Sequence, residues 1–297
     1  MPTRFRSFLT HVVHGAVIGS ANVIPGVSGG TMALIFGIYE ELIHSLSAGF
    51  TAFLRVLRLD LAGMRSKLQE INWILIAGLA VGVLAILVVG GKIVPYLLDT
   101  YPEQSRGLFF GLIIGSLAIP WLRMSGVSAR HVVLAALAAT IAFILVGLPP
   151  RDVGSPGLIV IFLTAMAAIT AMILPGVSGA HLLLVLGMYT PTFRAIDERD
   201  LGFIVVFALG AGLGLGAFAK FLNWLLARYH DATMAVLIGL MAGSLRALWP
   251  WVNGDGALQM PGVGDPVADV IALAFTGLLA VSALTWWSHG RQKPAAS

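Results

Sequence analysis

Long apolar stretches with few charges, joined by short polar links, run the length of the chain. They fall approximately at residues 8–24, 32–53, 74–98, 107–122, 132–148, 157–174, 181–193, 203–226, 234–249 and 270–287. Runs of this length and apolarity predict helices, and several approach the roughly 20 residues that carry a helix across a bilayer. Two junctions differ from the rest. Between residues 24 and 32, and again between 174 and 181, the link carries no acidic or basic side chain and is instead a break rich in proline and glycine. The arms flanking each break tend to fall short of a full crossing, so each pair is expected to form a re-entrant hairpin.

Composition sets the class. Hydrophobic residues make up 58% of the chain and charged residues 11%, with a mean hydropathy of +0.92. A soluble domain carries about a quarter charged residues, so this chain has too little polar surface to coat a globule. The expected fold is an all-α polytopic integral membrane protein. Residues 8–24 follow Arg4 and Arg6 as a signal peptide would, but no small-residue cleavage site follows and apolar sequence continues through Ile38. They are read as retained structure. The absence of cysteine excludes disulfides, thiolate catalysis and sulfur-ligated metals. No metal, cofactor or nucleic-acid partner is expected.

The two breaks are copies. Pro25-Gly26-Val27-Ser28-Gly29-Gly30 returns 150 residues later as Pro175-Gly176-Val177-Ser178-Gly179-Ala180. At an offset of 128 a second set coincides: Gly82 with Gly210, Lys92 with Lys220, Tyr101 with Tyr229, Gly111 with Gly239, Gly115-Ser116-Leu117 with Gly243-Ser244-Leu245, and Trp121 with Trp249. The polar, basic stretch 55–72 accounts for the change of offset. The chain therefore reads as two repeats, 1–150 and 151–297, in one integral membrane domain. Each repeat is expected to hold one broken hairpin and three transmembrane helices. Three crossings between the breaks turn the second repeat over, giving inverted topology.

Charge orients the whole. With the N-terminus in the cytoplasm, the loops on that side hold Arg4, Arg6, Arg55, Arg58, Arg65, Lys67, Arg123, Arg130, Arg228, Arg291 and Lys293, against Arg106, Arg151, Arg194 and Arg199 opposite. This obeys the positive-inside rule. Both termini are expected in the cytoplasm of a bacterial inner membrane, with the two breaks meeting near the midplane.

A backbone break in hydrocarbon is tolerated where it is buried in protein or lines a cavity, and paired breaks in two halves mark transporter binding sites. Proline presets each break, and the glycines let an oxyanion approach the amides. The helix that follows offers unpaired N–H groups and a positive dipole end, which suits an anion. The expected substrate contacts are Pro25, Gly26, Ser28, Gly29, Gly30, Thr31, Pro175, Gly176, Ser178, Gly179 and His181, with Arg246 as a bidentate phosphate ligand. Close helix packing is the competing account of such breaks; duplication with serine retained favours a site. Gly111, Gly115, Gly239, Gly243 and the alternating glycines from Gly210 to Gly216 are read as packing surfaces.

Ionisable residues within spans are costly and hence functional candidates. Lys92 and Lys220 are candidates for charge or coupling, with snorkelling as the alternative. Glu40, at the end of the first hairpin, is a candidate for proton coupling or an ordinary headgroup-level carboxylate. His11, His14 and His181 are open in the same way. An intramembrane phosphatase would need an acid–base set, and with Glu40 and Glu41 read at the cytoplasmic end of the first hairpin, no Asp, Glu or Cys is expected at membrane depth to join Ser28, Ser178 or His181. The chain is not expected to be an enzyme.

The strings NVIPGVSGGTMALIFGIYEELI (Asn22 to Ile43), LPGVSGAHLLLVLGMYTPTF (Leu174 to Phe193) and GLMAGSLRALWPW (Gly239 to Trp251) closely resemble the bacterial PopT family, formerly a membrane family of unknown function. The resemblance covers nearly the whole chain. It implies a translocase, or flippase, of undecaprenyl (polyprenyl) phosphate that recycles this lipid carrier for cell-envelope polymer synthesis. The expected partners are that lipid and membrane lipids, with homo-oligomerisation left open. In the second repeat Ala180-His181 and Thr190 depart from the family pattern, which leads one to expect Ser-Phe or similar and an acidic residue there. The competing transport reading is a secondary carrier of a small soluble anion.

Overall fold

The computed structural model describes residues 2–23, 28–89, 96, 100–151, 153–154, 156–253 and 257–291. Pro25, Gly26 and Lys92 lie outside these residues.

Among the described residues the apolar runs fold as helices, with Pro120 and Pro191 placed in the first turns of short ones. The helices are α1 (Pro2–Val23), α2 (Gly29–Ile35), α3 (Tyr39–Leu57), α4 (Leu61–Gln69), α5 (Trp73–Val89), α6 (Pro102–Ser116), α7 (Ala118–Leu122), α8 (Ala129–Val146), α9 (Leu158–Ile173), α10 (Gly179–Val185), α11 (Tyr189–Asp197), α12 (Leu201–Arg228), α13 (His230–Ser244) and α14 (Val267–Arg291), with a 3₁₀ turn at Leu245–Leu248. The structure is thus nearly all-helical. Among the described residues the extended pairing is an isolated bridge between Val252 and Leu258.

Among the described residues five stretches are long and apolar enough to cross a membrane: Pro102–Leu122, Ala129–Val146, Leu201–Arg228, His230–Leu248 and Val267–Trp286. The basic stretch 55–72 folds into α4, which meets the helix beginning at Trp73 at 72° and gives a sixth span if the bent pair is taken as one. The apolar runs are therefore more numerous than the full-length spans, because several are short or broken.

The arms after the two breaks are broken once more. Residues 32–53 and 181–193 each read as one run, yet α2 and α10 are seven residues long, about 10 Å at 1.5 Å per residue. Ser28 and Ser178 start these helices as N-caps, accepting bonds from the Gly30 amide at 3.1 Å and the His181 amide at 3.3 Å. Gly37 (φ 72°) and Gly187 (φ 75°) end them in the left-handed conformation. The amides of Ile38 and Met188 reach back to the carbonyls of Ala33 and Leu183 at 3.0 and 2.8 Å, the wrap-around closure of a Schellman motif.

Packing follows the sequence correspondence. Helix α1 lies on α5 and α9 on α12, while α6 lies on α14 and α13 on α8. A Cβ on Gly82 would fall 2.0 Å from the Val12 carbonyl oxygen, and one on Gly210 would fall 2.4 Å from that of Phe162. Val12 and Phe162 are 150 residues apart and the glycines 128. Likewise Gly111 abuts Ala274 and Gly239 abuts Ala135, at 1.8 and 2.1 Å from the carbonyl oxygens. These glycines serve backbone approach, as expected. Gly212 does not: a Cβ there would meet nothing within 4 Å. It lines an apolar groove of about 460 Å³ with Phe50, Trp73 and Leu213.

Candidate functional site

The breaks touch each other. The Ser28 hydroxyl, 144 to 146 residues from its acceptors, donates to the carbonyls of Leu174 at 2.9 Å and Met172 at 3.2 Å. The Thr31 hydroxyl oxygen accepts the Gly176 amide at 2.9 Å. These bonds run between the start of α2 and the last turn of α9 with the turn that follows it. Ser28 is 1% exposed and Thr31 is fully buried. A Cβ on Gly30 would lie 2.3 Å from the Ile173 carbonyl oxygen, so glycine permits this approach.

Turn geometry explains why the second break presents its amide. Gly176 has φ 81°, and a Cβ there would lie 2.6 Å from Met241 Cα and 3.0 Å from Ser244 Oγ. Glycine is thus required twice, for the dihedral and for contact with α13. Pro175, Gly176, Ser178 and Gly179 are all buried. Buried polar groups at this depth are costly unless paired, and the serine and threonine of the first break supply the partners.

The amides expected to face an anion are capped within the protein. Gly30 and His181 use the hydroxyls of Ser28 and Ser178, and Gly29 donates to Asn22 Oδ1 at 2.8 Å. Sequence reasoning passed over Asn22, although its place three residues before Pro25 is where a side chain can fold back on a break. The buried Ser244, a duplicate of Ser116 in sequence, belongs to this region through its approach to Gly176.

Other predicted residues lie farther out. Arg246, on the 3₁₀ turn, donates to the Phe143 carbonyl at 3.2 Å, and its Cζ stands 4.6 Å from the Phe143 ring centroid. A Cβ on Gly147 would fall 2.0 Å from that Cζ, so Arg246 covers the C-terminal end of α8, where a cation is favoured. The His181 ring faces the carbonyls of Leu145 and Val146 at the same helix end. Its Nε2 is buried and without a hydrogen-bond partner among the described residues. Arg246 and His181 are therefore brought together on one helix terminus, separate from the Ser28–Leu174 contact. Lys220 is exposed on α12, the arrangement of a side chain that snorkels. His14 stacks on Phe36 at 4.2 Å and stands 5.9 Å from His11.

Glu40 joins a network the sequence did not reveal. Its Oε1 accepts Arg123 Nη1 at 3.0 Å and lies 3.7 Å from His230 Nε2. His230 Nδ1 is 3.3 Å from Asp231, whose carboxylate accepts the amides of Ser125 and Gly126 at 3.0 and 3.3 Å. The start of α3 is thereby tied to the α7–α8 link and the start of α13. Among the described residues no His, Cys, Asp and Glu cluster is fit to hold a metal ion.

Comparison with known proteins gives consistent results. Residues 18–261 match a family profile described as undecaprenyl phosphate translocase-like. A polyprenyl-phosphate transporter from Vibrio cholerae serotype O1 is 34% identical over 268 residues, covering 88% of this chain and 86% of the relative. One from Staphylococcus aureus is 29% identical over 259 residues, covering 81% and 86%. No solved structure matches.

Proposed function

Because the chain belongs to the undecaprenyl phosphate translocase-like family, we propose that it carries a polyprenyl phosphate across the bacterial cytoplasmic membrane, returning the carrier lipid for cell-envelope synthesis. The observation that carries a site for the headgroup is the direct contact of the two breaks, Ser28 with Leu174 and Thr31 with Gly176. These bonds close the junction in the state described. When the tips part, the Ser28 and Thr31 hydroxyls and the Gly176 amide lose their partners together. A phosphate entering there takes up the same groups, with the Ser178 hydroxyl and the Gly179 amide alongside.

The exchange is energetically reasonable. A neutral hydrogen bond contributes about 0.5–1.5 kcal/mol net, and a bond to a charged group about 1.5–3 kcal/mol. Replacing tip-to-tip bonds with bonds to phosphate offsets the cost of separation, so substrate shifts the population toward the open junction. The polyprenyl tail stays at the lipid-facing surface of the protein while the headgroup crosses. In this reading the halves have inverted topology, α2 and α10 belong to re-entrant hairpins, both termini are cytoplasmic, and rocking of the hairpins alternates access.

Roles for the outlying residues follow from their positions. Arg246 holds the α8 terminus beside His181 and acts on phosphate through that placement. Glu40, bound to Arg123, senses separation of the first hairpin. Transport needs no covalent step, in keeping with the transporter names of the relatives.

The test is transbilayer movement of polyprenyl phosphate in proteoliposomes. The wild type is expected to move it, and folded Ser28→Ala/Thr31→Val protein to move it far more slowly. A wild type that leaves the lipid in place while carrying inorganic phosphate or another soluble anion would overturn the lipid reading.

A further inference from the structure

A second groove, about 460 Å³ in volume, opens between α8, α12 and α13. Its walls are Phe221 and Leu225 of α12 and Val236 and Leu240 of α13, and Leu174 lines it as well. Arg130 and Tyr229 stand at the other end. From Tyr229 to Leu240 the lane follows about 16 Å of helix at 1.5 Å per residue. The groove exists because α12 and α13, though consecutive, make little contact with each other and pack instead on α9 and α8.

We infer that this groove is a docking site for a polyprenyl phosphate molecule, its phosphate on Arg130 and its isoprenoid chain along α13 toward Leu174. The inference rests on the translocase reading, and charge complementarity selects the occupant. Arg130 is exposed, and no carboxylate pairs with it among the described residues. A cation at one end of an otherwise apolar lane matches an amphiphile with one anionic head and a long hydrocarbon chain. Three other grooves among the described residues lack this combination. That beside Trp73 and Gly212 and that beside Val17 and Phe36 carry no cation, and that holding Arg194 also holds Glu198 and Asp200.

Leu174 gives the site its consequence. Its carbonyl receives the Ser28 hydroxyl, while the same residue lines the groove. A chain lying in the lane therefore touches the junction of the two breaks before the headgroup reaches it.

The experiment uses full-length protein in nanodiscs and a polyprenyl phosphate probe with a photoreactive group near its first isoprene units. Labelling is expected on α12 and α13, to be competed by unlabelled polyprenyl phosphate and not by phosphatidylglycerol. Arg130→Gln is expected to weaken probe binding about tenfold, the loss of one charge-assisted contact. Val236→Trp, which fills the lane, is expected to weaken it comparably, whereas Gly212→Leu in the other groove leaves it unchanged. Lipid movement by the wild type with label mapping elsewhere and both groove variants binding normally would overturn this site alone. Equal competition by phosphatidylglycerol would mark ordinary boundary lipid and overturn it too. Absence of both probe binding and lipid movement in the wild type would overturn the translocase reading itself. Should a groove variant misfold, the position of the wild-type label still decides.

Discussion

The Thr31 hydroxyl accepts the Gly176 amide at 2.9 Å across 145 residues of sequence, with both residues fully enclosed. Thr31→Val keeps the shape but strands a buried N–H. It is expected to cost about 1–3 kcal/mol, read as a lower unfolding midpoint in detergent, while Thr31→Ser retains most of the stability. Equal stability of the Val and wild-type proteins would show that the bond is dispensable.

Gly30→Ala places a methyl 2.3 Å from the Ile173 carbonyl oxygen. The tips cannot then close as described, at a cost of about 1–3 kcal/mol by overpacking. Gly212→Ala, with open space around the new methyl, is expected to be neutral or to stabilise α12 by up to about 1 kcal/mol. Thermal unfolding of the two variants side by side checks the contrast.

Removing one of the paired glycines should be matched by removing its counterpart. Gly111→Ala and Gly239→Ala each drive a methyl into a facing carbonyl, at Ala274 and Ala135. Both are expected to destabilise, by similar amounts of about 1–3 kcal/mol. A large loss from one and none from the other would break the correspondence between α6 on α14 and α13 on α8.

Glu40 and Arg123 are 45% and 26% exposed at their side chains, so solvent screens their attraction. A double-mutant cycle with Glu40→Gln and Arg123→Gln should return a stability coupling of about 0.2–1 kcal/mol. The larger effect is expected in transport, through loss of its response to a pH gradient. An unchanged response in Glu40→Gln protein would remove this carboxylate from any coupling role.

Asp60 caps α4, accepting the Gly63 amide at 2.8 Å and pairing with Arg55. The amide bond first, and Arg55 second, hold its carboxyl below the usual range. A depressed value means that the contribution to order is full above the unfolded carboxyl value, near 3.9, and is lost as pH falls through the lower folded value. The protection of residues 61–69 against hydrogen exchange, taken relative to the intrinsic rate at each pH, should therefore fall in acid, and Asp60→Asn should abolish that pH dependence.

Much of this was legible in the sequence, for identifiable reasons. The offset of 128 points to Gly82 and Gly210, whose facing carbonyls at Val12 and Phe162 are themselves 150 residues apart. Ser28 and Ser178 were recognisable as special because hydroxyls seldom recur by chance within a proline–glycine break. The second breaks at Gly37 and Gly187 were hidden, since an apolar run does not disclose a positive φ. Nor was it visible that Ser28 bonds to main-chain carbonyls, which carry no side-chain signature. The Glu40–Arg123–His230 contacts join residues 83 to 190 positions apart, and nothing local in the chain marks them.

Helices α6 and α13 each press their glycine face against a helix from the other half of the chain. Neither half buries that face by itself, so neither is a self-sufficient folding unit. The molecule has the logic of an interlocked dimer whose subunits happen to share one polypeptide. Severed in the link between α8 and α9, the two fragments should find each other when made together and fail when made alone.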